Sequence, residues 1–293
     1  MRVHLIDGTY ELFRAHFSKR PPHTTPQGKD AKATVGVVSS LLGLLADPHE
    51  NVTHLAVAFD NPIRSFRNAL FDGYKTEEGV PEELLAQFDW VEEGVAALGI
   101  TVWSMDTFEA DDALATGAAM FAKHKSVEQV RILTPDKDLS QCLVGTKVVQ
   151  LDRRQEKLID AQSFEADKGF APESVPDFLA LVGDTADGIP GLDGWGEKSA
   201  ATVLRDYQHL EDIPRDVTKW KTQPRGAQKL SAVLNASLTE AKLYRTLATV
   251  RTDVPLKTTL EQLRYAGTEK KQFLEWCQRI GSRSLPQRPT RWV

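Results

Sequence analysis

The chain has 293 residues, 41% of them hydrophobic, with a net charge of −5 and two cysteines. That length and apolar content exclude a disordered chain or a small disulfide scaffold, and suit one large α/β domain or two lobes. The negative sum, taken alone, argues against nucleic acid as a partner.

The predicted elements alternate. VHLI (3–6), HLAVAF (54–59), ITVW (100–103), VRILT (130–134) and KVVQL (147–151) have the apolar runs of buried strands. Residues 31–46, 81–99 and 110–124 have the periodicity of amphipathic helices. Strands and helices in this order predict an α/β fold, a mostly parallel central sheet flanked by helices. From about residue 165 only helical segments follow, at 173–182, 197–206 and 228–248. The expected organisation is an α/β core over 1–168, an all-α lobe over 169–265, and an extension over 266–293 that ends as a loose basic tail. MRVHLID at the start reads as a strand and not as a signal peptide, and no apolar run approaches the ~20 residues that span a bilayer, so a cytoplasmic location is expected.

FEADDALA (108–115) gathers Glu109, Asp111 and Asp112 within four positions. Asp7 directly follows the first strand run, Asp60 the second, and Asp136 and Asp138 follow VRILT in TPDKD. In a parallel sheet these positions are carboxyl ends of strands, on the rim where open α/β sheets bind ligands. Asp184 and Asp187 in GDTADG share a face if that turn is helical. Any one of these acids alone reads as a helix cap or turn residue. Nine together would repel one another and raise each other's pKa unless cations lay between them. Oxygen donors without His or Cys suit Mg²⁺ or Mn²⁺, and two such ions serve in-line attack of water on a phosphodiester. Setting the nine acids aside turns the net charge into a positive remainder, which admits a phosphate-backbone partner.

GLDGWGEKSAATVL (191–204) imitates two nucleotide-binding motifs and satisfies neither. Glu197 interrupts the P-loop spacing before Lys198, and Ser199 stands where a dinucleotide fingerprint needs glycine. The stretch reads instead as a glycine turn between helices, with Gly191, Gly194 and Gly196 baring backbone N–H groups toward a DNA phosphate and Lys198 adding a contact. Trp195 inside it is expected to pack beneath the turn.

LIDGTYELFRAHF, AFDNPIRSFRNALFDGYK, FEADDALAT, ILTPDKDLSQ, LVGDTADGIPGLDGWGEKSAATVL and LATVRTDVPL run in order from residue 5 to about 256. In these stretches the chain resembles the bacterial 5′-nuclease family, the flap endonucleases and 5′→3′ exonucleases related to the N-terminal domain of DNA polymerase I. The resemblance implies a PIN-like core with a helical arch at 76–90 and a helix-hairpin lobe. It implies a metal-dependent phosphodiesterase acting on branched or 5′-ended DNA in replication or repair. All nine family acids are present. Asp7, Asp60, Glu109 and Asp111 are expected around one ion, and Asp136, Asp138, Asp184 and Asp187 around the other, with Asp111 between and Asp112 beside them.

The resemblance further assigns catalytic roles to Lys75, on the scissile phosphate, and Arg67, below the arch. Tyr74 would stack on a terminal base, with Arg14 and Arg64 as weaker DNA contacts. It implies K⁺ at the glycine hairpin. A monomer with a separate DNA polymerase as partner is a further expectation that the resemblance does not itself supply. Glu77, Glu78, Glu82 and Glu83 depart from the pattern, because an acidic arch repels a threading strand. The alternatives are a non-catalytic branched-DNA binding module, a PIN-type ribonuclease, which would lack the helical lobe, and a distant third, an ATPase.

Overall fold

The computed structural model describes residues 1–293. In chain order its elements are β1 (Arg2–Asp7), α1 (Gly8–Phe17), α2 (Lys32–Ala46), β2 (His54–Asp60), α3 (Glu82–Leu85), α4 (Phe88–Ala97), β3 (Thr101–Met105), α5 (Ala110–Ala122) and β4 (Gln129–Leu133). There follow β5 (Val148–Asp152), β6 (Lys157–Ile159), α6 (Ala161–Lys168), α7 (Val175–Val182), α8 (Glu197–Tyr207), α9 (Ala227–Ala236), α10 (Leu238–Ala248) and α11 (Lys270–Ile280). Two compact units result, one of residues 1–65, 77–134 and 252–293, the other of 66–76 and 135–251.

The first unit is built on parallel strands. β1 lies between β2 and β4, and β3 pairs with β2. Every residue of β2 is buried and β1 is buried from Val3 onward, as required of strands covered on both faces. α5 packs on β1, β2 and β4, and α1 packs on β2 and α2. All five predicted strands form.

The helix expected at 81–99 forms as α3 and α4, broken at Ala86–Gln87. Gln87 is fully buried and explains the break. It accepts from the Thr34 N–H and hydroxyl at 3.0 and 3.1 Å and donates to Asp30 and to the Glu83 carbonyl. The helical arch expected at 76–90 is therefore reduced to one turn anchored by Leu84, Gln87 and Phe88, with Glu78, Glu82 and Glu83 exposed beside it.

The extension expected to end loosely is instead part of the first unit's core. α11 buries Phe273, Trp276, Cys277 and Ile280, and Trp276 Nε1 donates to the Trp90 carbonyl at 3.0 Å. Gly94 on α4 makes room for that ring, since a Cβ there would lie 2.4 Å from Trp276. The last residues are tied back by Thr268 N–H to Arg291 O at 2.9 Å and Val293 N–H to Thr268 O at 3.0 Å.

The second unit holds the antiparallel β5–β6 pair and helices α6 to α10 around an apolar core that includes Leu181, Trp195, Leu204 and Leu247. The helix expected across 228–248 is two, α9 and α10, meeting at Ser237. Arg245 of α10 donates to Asp177 of α7 at 3.1 Å and to Glu211 at 2.7 Å through its other nitrogen. The Glu211 carboxyl is held down at about 2 by that guanidinium hydrogen bond.

Trp276→Ala is expected to lower stability by about 3–5 kcal/mol, because it empties a buried site and strands the Trp90 carbonyl. Denaturant titration checks this, and a loss below 1 kcal/mol would show that α11 is only a peripheral strap.

Candidate active site

The carboxyl edge of the parallel strands carries the first group of acids, and each also serves the backbone. Asp7 ends β1 and caps α1, accepting from Tyr10 N–H at 2.8 Å with one oxygen and from the Thr134 hydroxyl at 2.9 Å with the other. Its successor must be glycine, since a Cβ on Gly8 would lie 2.5 Å from the Phe59 ring and 2.7 Å from the Ala58 carbonyl. Asp60 ends β2 and accepts from Ala110 N–H at 2.7 Å, at the start of α5. Glu109 accepts from the Ser65 hydroxyl at 2.6 Å, and its own N–H donates to Asp112 at 3.0 Å. Asp7, Asp60, Glu109 and Asp112 are buried and Asp111 is half-buried. Positive ends of α1 and α5 lie against this group and offset part of its charge.

The second group lies within the other unit. Asp136 accepts from Asp138 N–H at 2.9 Å, capping a tight turn. Asp138 is buried, and its Oδ1 has no hydrogen-bond partner. Burial first, then the charges of Asp136, Asp187 and Asp184, push its carboxyl well above the ordinary value, with Lys137 opposing. Asp184 and Asp187 do not sit on a helix as their spacing suggested. Asp184 and Ile189 exchange backbone hydrogen bonds at 2.8 and 2.7 Å around a turn, and Asp184 also accepts from Ala186 N–H at 2.9 Å. Gly188 closes the turn at φ +73°, and a Cβ there would meet the Gly73 carbonyl at 2.0 Å.

Lysines neutralise both carboxylates of that turn. Lys137 Nζ lies 2.6 Å from Asp184, and Lys75 Nζ lies 3.3 Å from Asp187. The Lys75 N–H donates to the Asp187 carbonyl at 3.2 Å, and the Tyr74 hydroxyl donates to its carboxylate at 3.4 Å. Burial lowers the pKa of Lys137, but the hydrogen bond to Asp184 and the surrounding acids outweigh it and raise the net value.

Two assignments implied by the resemblance are revised by burial. Tyr74 is 3% exposed and packs in the second unit's core, so its ring offers no free face to a base. Arg67 is 2% exposed and donates to Leu247 O at 2.8 Å and Thr249 O at 2.9 Å, which makes it a clamp on the end of α10. Arg14 lies against Glu11 and donates to the Ser40 hydroxyl, while Arg64 is exposed.

At the hairpin, Gly191 and Gly194 have positive φ of 71° and 78°. Gly196 does not, and its N–H is engaged by the Ser199 hydroxyl at 3.1 Å. Lys198 is exposed, and Trp195 packs inward as expected, donating to Leu230 O at 3.3 Å.

Three supporting residues were not singled out from sequence. Lys137 is one. Gln141 bridges the carbonyls of Asp138 and Ala248 at 2.7 and 3.0 Å, and Gln150 donates to the Asp136 carbonyl at 2.5 Å. For Lys137 and Gln141 the signal was their place within TPDKDLSQ; Gln150, nine residues on in β5, had no local signal beyond being a polar residue in an apolar run.

The donors fit a hard divalent cation. They are carboxylates without thiolate or imidazole, and Asp138 Oδ1 is buried without a partner. The fit is one of donor chemistry, since no three or more His, Cys, Asp or Glu side chains are gathered into a group that could hold an ion.

A family profile described as 5′-3′ exonuclease, N-terminal resolvase-like domain, matches residues 2–169, and one described as 5′-3′ exonuclease, C-terminal SAM fold, matches 170–271. The chain is 34% identical over 265 residues to DNA polymerase I of Rhizobium leguminosarum, covering 88% of this chain and 25% of that protein. It spans a quarter to a third of the length of the DNA polymerase I relatives it matches. It is 28% identical over 284 residues to a 5′-3′ exonuclease of Aquifex aeolicus, covering 97% of this chain and 93% of the relative. Among solved structures it is similar to a flap endonuclease of bacteriophage T5 in a pseudo-enzyme-product complex with DNA and metal ions, at 18% identity and a TM-score of 0.62, covering 85% and 89% of the two chains. That likeness shows the fold, a nuclease-type sheet with flanking helices joined to a SAM-type helical domain.

Asp138→Asn is expected to raise the melting temperature of metal-free protein at pH 7 by about 2–4 °C. A carboxyl whose pKa rises on folding takes stability away as pH climbs from its unfolded value through its folded one, and the amide removes that loss. At pH 3, where the carboxyl is protonated in both states, the difference should vanish. With Mg²⁺ added, the wild-type chain should gain more than the variant. A variant less stable at pH 7 without metal would contradict this electrostatic account.

Proposed function

Because the chain belongs to the 5′-3′ exonuclease family, we propose that it is a structure-specific 5′-nuclease that hydrolyses DNA phosphodiesters, cutting 5′ flaps and degrading duplex 5′ ends. The observation that carries this is the buried Asp138 carboxylate, set among Asp136, Asp184 and Asp187 with one oxygen lacking a donor. A fold keeps such a group when a cation completes it.

Asp136, Asp138, Asp184 and Asp187 would hold one divalent ion, and Asp7, Asp60, Glu109 and Asp111, with Asp112 beside them, the other. Mg²⁺ is the expected metal, with Mn²⁺ as substitute. When bound, the ions supply the charge that lowers the pKa of water and stabilises the leaving oxygen. The remaining chemistry belongs to the chain. Lys75, half-buried and on Asp187, is placed to transfer to a non-bridging phosphate oxygen as negative charge develops. Tyr74, Asn68 and the Gly188 turn fix where Lys75 and Asp187 stand. Asn68 Nδ2 donates to the Lys75 carbonyl at 2.8 Å. Asp7 and Asp60 are oriented by their caps on α1 and α5, so little side-chain order is left to gain on binding.

The glycine hairpin and Lys198 are proposed to hold the duplex through its backbone without reading sequence. K⁺ there and a separate polymerase as partner belong to the same proposal, as does a monomeric state. The relative's complex with DNA and metal ions supports DNA as the substrate class. No helix is long and apolar enough to cross a membrane.

The test is a 5′-labelled flap duplex incubated with Mg²⁺ or EDTA. Cleavage near the junction is expected only with Mg²⁺, falling at least about 100-fold in Asp136→Ala and in Lys75→Ala. Tight binding without cleavage in either Mg²⁺ or Mn²⁺ would show a branched-DNA binding module instead.

A further inference from the structure

A cavity of about 350 Å³ opens in the second unit between α6, α7 and α8, with Gly183, the neighbour of Asp184, on its wall. Its inner side is aromatic. Phe170 and Phe178 stack with centroids 4.8 Å apart and planes 19° from parallel. Phe170 is buried while Phe178 remains partly exposed, so the stack ends in a ring that a further flat group can cover.

The lining carries both charges. Lys137, Lys168 and Lys198 stand against Asp167 and Glu197, and Lys137 is already held by Asp184 at 2.6 Å, which leaves Lys168 and Lys198 for an anion. Lys168 pairs with its exposed neighbour Asp167 at 3.4 Å, an interaction weak enough for a phosphate to displace. A flat apolar wall with lysines at the opening matches a ligand that carries a π face at one end and an anion at the other. The volume exceeds a single base and admits its sugar and phosphate.

We propose that this cavity binds a nucleoside monophosphate unit, its base on Phe178 and its phosphate between Lys168 and Lys198. The unit comes from a free mononucleotide or from one nucleotide of a strand. The choice of ligand rests on the nuclease proposal, but binding does not require catalysis.

Saturation-transfer NMR in EDTA, with dAMP, deoxyadenosine and a 5′-phosphorylated tetranucleotide as probes, tests it. Base protons of dAMP should receive saturation, and Phe178→Ala should weaken binding about tenfold. Lys168→Glu, a change at an exposed position that leaves folding intact, should weaken dAMP but not deoxyadenosine. Saturation of the tetranucleotide alone, with the same response to both variants, assigns the site to a strand. No base saturation from either phosphorylated probe, or binding indifferent to both substitutions, overturns the proposal. Flap cleavage is scored separately. An inactive protein that binds dAMP through Phe178 contradicts the nuclease proposal and keeps the cavity, and an active one without base contact does the reverse.

Discussion

Like charges confined to a low-dielectric rim repel one another, and the architecture of this chain is organised around that cost. In the first unit the repulsion is offset by geometry. β1 and β2 deliver Asp7 and Asp60 to the edge where α1 and α5 begin, so each carboxylate faces backbone N–H donors and a positive helix end. In the second unit the offset is partly ionic, through Lys137 on Asp184 and Lys75 on Asp187. Asp138 receives neither on its buried oxygen and carries the residual cost as a raised pKa.

Bracing follows from the same constraint. Carboxylates that repel must be held by something stiffer than themselves. The turn bearing Asp136 and Asp138 is tied by Gln141 to the end of α10 and by Gln150 to β5. The turn bearing Asp184 and Asp187 is closed by its own backbone pair and by the segment carrying Tyr74 and Lys75. Arg67 has a similar place, since its buried guanidinium fixes the carbonyls at the end of α10 to which Gln141 also reaches. Loss of Arg67 should therefore look like loss of order in the site, even though its charge never faces solvent.

Much of the fold was legible because strands are written as short apolar runs, and all five runs formed strands, β1 and β2 being the ones buried nearly throughout. Asp7, Asp60, Asp136 and Asp138 were picked out because they follow those runs, Glu109, Asp111 and Asp112 because they crowd one helix start, and Asp184 and Asp187 by their spacing in GDTADG. What sequence alone does not report is whether a polar side chain is spent internally. Tyr74 and Arg67 sit in a stretch that looks like a surface contact, yet one packs in the core and the other satisfies buried carbonyls. Gln87 breaks a helix whose apolar periodicity runs straight through it, because four hydrogen-bonding groups from α2, α3 and Asp30 converge there. The C-terminal extension was obscured by its arginines. The apolar stripe of Phe273, Trp276 and Ile280 on α11 decides its packing, while Arg279 merely pairs with exposed Glu93 at 2.6 Å.

The central claim is that the two groups of carboxylates exist to hold divalent cations. Titrating the chain with Mn²⁺ and counting bound ions by electron paramagnetic resonance tests it without any substrate. The account predicts two ions per chain, with one lost in Asp138→Asn and one in Asp60→Asn. No saturable binding, or binding unchanged by both substitutions, would contradict it.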